Sequence, residues 1–130
     1  MKCKVYDLKV NSDARGSLVA IESLKDVCFD IKRIFYIYGN ENRLPRAGHA
    51  NRQTSEALIC LQGSCRVVLN DGVKREFILD RPDRLLYIAS GVWVELDGFT
   101  EDCILLVLAN DDYKKDIITD NYHEFLEMMK

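Results

Sequence analysis

The residues best suited to chemistry lie in one short stretch of the chain: His49, Asn51 and Glu56. On a strand, alternation places residues 49 and 51 on the same face, and Glu56 follows where the next strand begins. An imidazole can take up and return a proton near neutral pH, whereas an amide donates a hydrogen bond but carries no proton. By themselves these residues leave two interpretations of His49 open, a proton-transferring residue or a loop histidine whose hydrogen bonds are satisfied within the protein. Glu56 either orients His49 or forms a salt bridge at the end of a strand.

The same residues make a poor metal site, because one imidazole, one amide and one carboxylate seldom hold a transition metal. The later region, residues 79–97, contains no histidine. The other histidine, His123, falls on the polar side of a C-terminal helical pattern, where we expect a surface residue. The sequence contains no glycine-rich phosphate loop, GxSxG elbow or HExxH motif. We therefore expect a reaction without metal or other cofactor.

Length and composition indicate a small globular protein. The 130 residues fit one domain, 1–130, with 48% hydrophobic and 30% charged residues. The formal net charge of -3 argues against nucleic-acid binding, and no apolar run reaches the roughly 20 residues that span a bilayer. The first ten residues lack the apolar core of a signal peptide. Five cysteines without a CxxC pair are typical of a reducing compartment, so we expect a cytoplasmic protein.

The sequence pattern predicts that the elements positioning these residues are short strands. Turn residues separate runs rich in Val, Ile, Tyr and Leu, and Asp71-Gly72 is a strong hairpin signal. This pattern predicts an all-β sandwich, jelly roll or barrel. The predicted strands are 3–8, 17–22, 31–38, 57–61, 65–70, 74–79, 84–89, 92–96 and 103–109, with the strand at 31–38 covered on both faces.

Two segments depart from the strand pattern. Residues 39–55 form a polar stretch without much strand character, and long loops in compact β domains are often functional. After residue 121, apolar residues fall at helical spacing, which predicts a short C-terminal helix capped by Asn121.

The spacing of His49, Glu56 and Gly63 resembles the first motif of the cupin superfamily, with Asn51 in place of its second histidine. Over nearly the whole chain, the sequence resembles the nucleotide-sugar 3,4-ketoisomerases, metal-free cupins that act on dTDP-4-dehydro-6-deoxyglucose. The matching segments are Arg15-Gly16-Ser17-Leu18, Ile31-Lys32-Arg33-Ile34-Phe35-Tyr36-Ile37, Pro45-Arg46-Ala47-Gly48-His49-Ala50, Gly63-Ser64-Cys65-Arg66-Val67, Asp71-Gly72, Trp93 and the ending from Tyr113 to Phe125.

The resemblance implies a jelly-roll cupin fold with a short C-terminal helix, and His49 as the catalytic base. Asn51 and Tyr36 would donate hydrogen bonds to the reacting oxygens, although alternation alone does not choose between Tyr36 and Tyr38. The remaining substrate contacts would come from Arg15 and Arg46 on the diphosphate, from Glu56 and from Trp93, whose more common role is to fill the core.

The implied substrate is a dTDP-linked 4-keto-6-deoxyhexose, and the implied assembly is a homodimer, either with or without exchange of N-terminal strands. Because Asn51 and Phe35 depart from the family pattern of a second histidine and paired tyrosines, three other readings stay open. They are a related cupin sugar epimerase, a non-catalytic sugar-nucleotide binder and an interaction module attached to a transferase.

Overall fold

In a computed structural model, which describes residues 2–130, the chain forms twelve β-strands and one short α-helix. The strands are β1 (Cys3–Asp7), β2 (Asn11–Asp13), β3 (Gly16–Leu18), β4 (Arg33–Ile37), β5 (Arg46–Asn51), β6 (Glu56–Gln62), β7 (Cys65–Asn70), β8 (Lys74–Leu79), β9 (Arg84–Ile88), β10 (Trp93–Asp97), β11 (Ile104–Ala109) and β12 (Ile117–Thr119). The helix, α1, is Tyr122–Met128.

Ten of these strands form two five-stranded antiparallel sheets. The first has the order β1-β9-β6-β11-β4 and the second the order β12-β5-β10-β7-β8. Strands β2 and β3 make a separate two-stranded hairpin. Because neighbours in the sheets are mostly distant along the chain, the connections cross between the two layers, as in a cupin-type jelly roll.

The main core lies between the two sheets and is built by alternating residues of the strands. Leu58 and Cys60 of β6 and Leu105 and Val107 of β11 point inward, where they meet Val94 of β10. Their neighbours point outward and belong to other clusters, as period-2 alternation requires. The inner faces at the far end of the sandwich carry polar residues instead, and that end contains the candidate site.

Both outer faces are covered locally. Residues of segment 21–31, with Val27 and Phe29 buried, pack on the first sheet. On the second sheet, α1 places Phe125 against Trp93 and Ala50. Asn121 caps α1, since its side chain accepts a hydrogen bond from the Glu124 backbone N–H at 3.0 Å.

The predicted sandwich, the hairpin at Asp71-Gly72 and the capped helix are confirmed. The polar segment 39–55 was wrongly expected to lack a strand, because it contains β5. The predicted strand 17–22 is reduced to the short β3. The strand at 31–38 was wrongly expected to be covered on both faces. The segment that covers the first sheet packs on β6, β9 and β11, and Ile34 and Tyr36 of β4 are exposed.

Two further findings concern the cysteines and the search for a membrane-spanning helix. Cys3, Cys60, Cys65 and Cys103 are buried, Cys28 is exposed, and all five are free thiols. Within residues 2–130, no helix has the length and apolar character needed to cross a membrane.

The turn after β6 depends on a glycine. Gly63 has a φ of +69°, and a Cβ there would lie 3.0 Å from the Cys103 Cα. Gly39 has a similar φ of +72° but open space around it. We expect Gly39→Ala to lower the free energy of unfolding by about 1 kcal/mol through backbone strain, and Gly63→Ala by about 3 kcal/mol because a clash is added. Urea unfolding of both variants measures the difference, and equal losses would contradict it.

Candidate active site

A cavity of about 310 Å³ opens between the two sheets at the end where β5 and β6 meet. One wall is formed by the inner face of β5, and the other by residues of β4 and β6. A narrower apolar extension of about 120 Å³ continues from it toward the core, past Arg46, Leu58 and Val94. The main cavity is lined by Arg33, Phe35, His49, Asn51, Thr54, Glu56 and the rim residues Tyr113, Lys114, Lys115, Asp116 and Ile117.

A β-bulge in β5 sets the direction of His49. Val94 of β10 pairs with His49, but the next residue, Glu95, pairs with Ala47, so Gly48 is the extra residue. Ala47 and Gly48 have φ values of 64° and 76°, a left-handed bend that shifts the register. Because Val94 faces the core, its partner His49 faces the cavity.

The surroundings of His49 keep its imidazole neutral. Burial lowers the pKa of His49, and the backbone of Ala47 together with the charge of Asp120 only partly opposes this effect. The neutral imidazole is the form that accepts a proton. His49 can therefore act as a base at neutral pH.

Asp116 ties the rim of the cavity to the turn between β5 and β6. Its Oδ2 accepts hydrogen bonds of 2.8 Å from the backbone N–H groups of Gln53 and Thr54 and from the Thr54 hydroxyl. Burial opposes ionisation of this carboxyl, but these hydrogen bonds outweigh it and lower the pKa of Asp116. Asp116 thus remains a structural carboxylate that holds the segment before β12 across the opening.

The opposite wall carries an arginine and a glutamate in one cross-strand row. Ala109 of β11 pairs with Arg33 of β4 on one side and with Glu56 of β6 on the other. Paired residues point to the same face, so both long side chains enter the cavity from backbones about 10 Å apart. The fully buried Ala109 methyl between them leaves room above it.

Among residues 2–130, neither charged group of this row has a salt-bridge partner. The Nε of Arg33 is buried without a hydrogen bond, while its guanidinium lies over the rings of Phe35 and Tyr113 at 5.3 and 5.6 Å. Burial raises the pKa of Glu56 to about 7, and the positive charge of Arg33 opposes the rise without cancelling it. The cavity therefore holds an unpaired cation beside a carboxyl that can be protonated at neutral pH.

A family model described as WxcM-like, C-terminal (FdtA) matches residues 1–130. This chain belongs to the FdtA family. A relative from Aneurinibacillus thermoaerophilus, named TDP-4-oxo-6-deoxy-alpha-D-glucose-3,4-oxoisomerase, is 43% identical over 126 residues, covering 96% of this chain and 91% of the relative.

Two solved structures extend the comparison. A 3,4-ketoisomerase from Helicobacter canadensis superposes with a TM-score of 0.92 at 42% identity, covering 99% of this chain and 98% of that one. The H51N mutant of the 3,4-ketoisomerase QdtA from Thermoanaerobacterium thermosaccharolyticum, solved with TDP-4-keto-6-deoxyglucose, has a TM-score of 0.91 at 34% identity, covering 98% and 94%. The cupin-type fold expected from the resemblance is thus that of the FdtA family.

The structure brings together four of the residues predicted for this FdtA-family site. His49, Asn51 and Glu56 line the main cavity, and Arg46 lines its inner extension. Within residues 2–130, no group of three or more His, Cys, Asp or Glu side chains is arranged to hold a metal ion.

The expected placement of Tyr36 is corrected. Tyr36 pairs with Leu106 on the outer face of the first sheet and is 62% exposed, because its neighbour Phe35 occupies the inward position. Tyr38 shares the outer face, with its ring centroid 6.0 Å from that of Tyr36. No tyrosine of β4 reaches the cavity of its own chain.

Arg15 and Trp93 also lie outside the cavity. The Arg15 side chain is 90% exposed on the β2–β3 hairpin, where it pairs with Asp13. Trp93 is 3% exposed and packs on Phe125 beneath α1, with its Nε1–H donating to Glu95 Oε1 at 3.0 Å. Trp93 faces away from the cavity because its successor Val94 faces inward.

Sequence reasoning missed Arg33 and the rim residues before β12. Alternation along β4 places Arg33 on the same face as Phe35 and Ile37. This is the one sequence signal that the Arg33 side chain points inward. Its position beside Glu56 depends on the register of both strands with β11, which the sequence does not display.

The raised pKa of Glu56 makes a stability prediction. The folded state holds a proton on Glu56 more tightly than the unfolded chain does, so this group stabilises the fold below its ordinary pKa of 4.5 and loses that contribution as pH rises through about 7. From about pH 5 to about pH 8, we expect the free energy of unfolding of Glu56→Gln to rise by up to about 3 kcal/mol relative to that of wild type, because glutamine is always neutral. Urea unfolding at both pH values measures the gain.

The exposed Glu41 provides the matched control for this prediction. Glu41→Gln removes the same charge outside the cavity, and we expect its stability difference from wild type to change little with pH. Equal pH trends for the Glu56 and Glu41 variants would contradict the raised pKa.

Proposed function

We propose that this protein is a nucleotide-sugar 3,4-ketoisomerase that converts a dTDP-linked 4-keto-6-deoxyhexose into its 3-keto isomer in deoxysugar biosynthesis. Family membership and the activity named for the Aneurinibacillus relative support the reaction. TDP-4-keto-6-deoxyglucose in the Thermoanaerobacterium structure supports the substrate class. The observation that carries the proposal is the neutral imidazole of His49, directed into a cavity between the sheets.

His49 transfers the proton between the two carbons. The ketone moves when the proton on carbon 3 is removed and a proton is delivered to carbon 4, with an enediol between the two steps. A single neutral imidazole over the bond between these carbons, within about 3 Å, can perform both transfers. No oxidant is needed, because one carbon is oxidised as its neighbour is reduced.

The negative charge that develops on the sugar oxygens needs hydrogen-bond donors. Asn51, on the same wall as His49, supplies an amide N–H, and the guanidinium of Arg33 supplies further donors from the opposite wall. One such donor lowers the barrier by about 3–4 kcal/mol in other enzymes.

Basic side chains at the two ends of the cavity can bind the diphosphate. Lys114 and Lys115 stand at its opening, and Arg46 lines its inner extension. A guanidinium can bind phosphate oxygens in bidentate fashion, and lysines contribute point charges. Arg15 and Trp93 have no place in this arrangement within a single chain.

A homodimer is proposed from the exposed apolar surface of the first sheet. Ile34, Tyr36 and Tyr38 present large exposed side chains on the edge strand β4 and just after it, and uncovered edges are normally paired or shielded. In this structure β1 pairs with β9 of the same chain, so strand exchange is not needed to complete the sheet. Sedimentation equilibrium should give twice the chain mass of 15.0 kDa, and a concentration-independent 15.0 kDa would contradict the dimer.

A cytoplasmic location is proposed from the state of the cysteines. The sulfurs of Cys60 and Cys103 lie 3.8 Å apart as free thiols in the core, and the exposed Cys28 is also unpaired. Free thiols persist where glutathione and thioredoxin keep them reduced.

Asn51 supports a second candidate, a sugar-nucleotide binder without turnover, because an amide cannot relay a proton. Incubation of TDP-4-keto-6-deoxyglucose with the protein, followed by proton NMR in deuterated buffer, separates the two. A 3-keto product supports the isomerase, and the deuterium content of carbon 4 measures how far the imidazolium of His49 exchanges with solvent before it returns its proton. A raised melting temperature with TDP but an unchanged sugar spectrum supports the binder.

The role of His49 predicts the effect of one substitution. We expect His49→Asn to lower isomerisation and deuterium exchange at the sugar by at least about 100-fold, because the base is lost while the cavity keeps its shape. TDP binding, followed by calorimetry, should change little. His123→Asn is the control, since His123 lies outside the cavity on α1. Undiminished exchange in the His49 variant would remove His49 from the mechanism.

A further inference from the structure

We propose that Glu56 is the second proton-transferring residue of this site, passing a proton between the two sugar oxygens while His49 passes the carbon proton. This inference rests on the proposed ketoisomerase function and assigns a role that Asn51 and Tyr36 cannot fill. Asn51 carries no exchangeable acid proton, and Tyr36 lies on the outer face of β4.

Proton balance shows why a second group is required. When His49 removes the proton from carbon 3, the oxygen on carbon 4 must gain a proton to give the neutral enediol. When His49 returns its proton to carbon 4, the hydroxyl on carbon 3 must lose one to become the new ketone. A carboxylic acid that donates to the first oxygen becomes a carboxylate, and it regains its proton from the second. The acid is restored, and no co-reactant is consumed.

The geometry places Glu56 where this exchange can occur. It is the first residue of β6 and enters the cavity on the wall opposite His49, in the row that Arg33 and Ala109 complete. Within residues 2–130, no side chain donates a hydrogen bond to its carboxyl and no cation lies within ion-pair distance of it. Glu56 is partly buried and lines the cavity, so its carboxyl is open to a hydroxyl or carbonyl group of a bound sugar.

The other titratable groups around the cavity are unsuited to the relay. Asp116 uses its carboxylate on the backbone of the turn after β5, and Lys114 is paired with Asp111 at 2.9 Å. Tyr113 is 89% exposed at the rim. The charged and titratable groups that share the cavity with Glu56 are Arg33 on β4, His49 on β5, Arg46 in the inner extension, and Tyr113, Lys114, Lys115 and Asp116 in the segment leading into β12.

Arg33 acts on Glu56 as a positioning residue. Its charge stabilises the carboxylate that forms when Glu56 gives up its proton, and its side chain lines the same cavity. Burial and Arg33 act in opposite directions on the pKa of Glu56, which lies at about 7. Such a carboxyl exchanges protons near neutral pH in both directions, as a relay requires.

The experiment compares wild type, Glu56→Gln, Glu56→Asp and the control Glu41→Gln with TDP-4-keto-6-deoxyglucose. We expect Glu56→Gln to lower kcat by about 100-fold or more, with little change in KM or in TDP affinity. Deuterium exchange at carbon 3 should fall less than product formation, because His49 still removes and returns that proton. Glu56→Asp should restore part of kcat, and Glu41→Gln should match wild type.

The pH profile separates a relay from a structural role. Wild-type kcat should fall as pH rises through about 7, because Glu56 must begin protonated. We expect this alkaline limb to be absent from the residual activity of Glu56→Gln and present in Glu56→Asp.

Three results would overturn the relay. The first is a Glu56→Gln variant with wild-type kcat and pH profile. The second is a loss confined to KM and TDP affinity, which would make Glu56 a binding residue. The third is a deuterated epimer as product, which would show Glu56 exchanging protons with carbon. Each leaves His49 and the ketoisomerase testable by themselves, whereas an inactive wild-type protein would remove the proposed function and the relay together.

Discussion

Desolvation of the space between the two sheets is the constraint on which the site depends. The same burial acts in opposite directions on its two proton-carrying side chains, because it disfavours whichever form is charged. It lowers the pKa of His49 and raises that of Glu56 to about 7. A neutral base on one wall thus faces a neutral acid on the other at the same pH.

The sandwich supports this arrangement by ending its apolar core before the cavity. Leu58 and Val107 fill the space between the sheets, and farther along the same strands Glu56 and Ala109 take the inward positions. The small side chain of Ala109 leaves room for Arg33 and Glu56 to extend above it. Asp116 then fixes the opening with its hydrogen bonds to the turn between β5 and β6. The core residues and the site residues therefore lie at different positions along the same strands.

The departures from the family pattern act at one place. Asn51 removes a proton carrier from the wall of His49, and Phe35 presents an apolar ring where the paired tyrosines of the resemblance would bring a hydroxyl. Arg33 stacks on that ring, and Glu56 lies across Ala109 from it. The Glu56 carboxyl, on the first sheet, thus stands in a cavity that lacks both a second imidazole and a phenol from β4.

The sequence by itself determined the β-sandwich class, the hairpin at Asp71-Gly72, the capped C-terminal helix and the family, because these depend on local alternation, turn chemistry and motif spacing. It also indicated His49, Asn51 and Glu56 as neighbours. Only the tertiary structure decided that Tyr36 faces outward, that Trp93 packs under α1, and that Arg33 stands beside Glu56. The physical reason is that the inward face of a strand and its register with distant strands are set by packing across the whole sandwich.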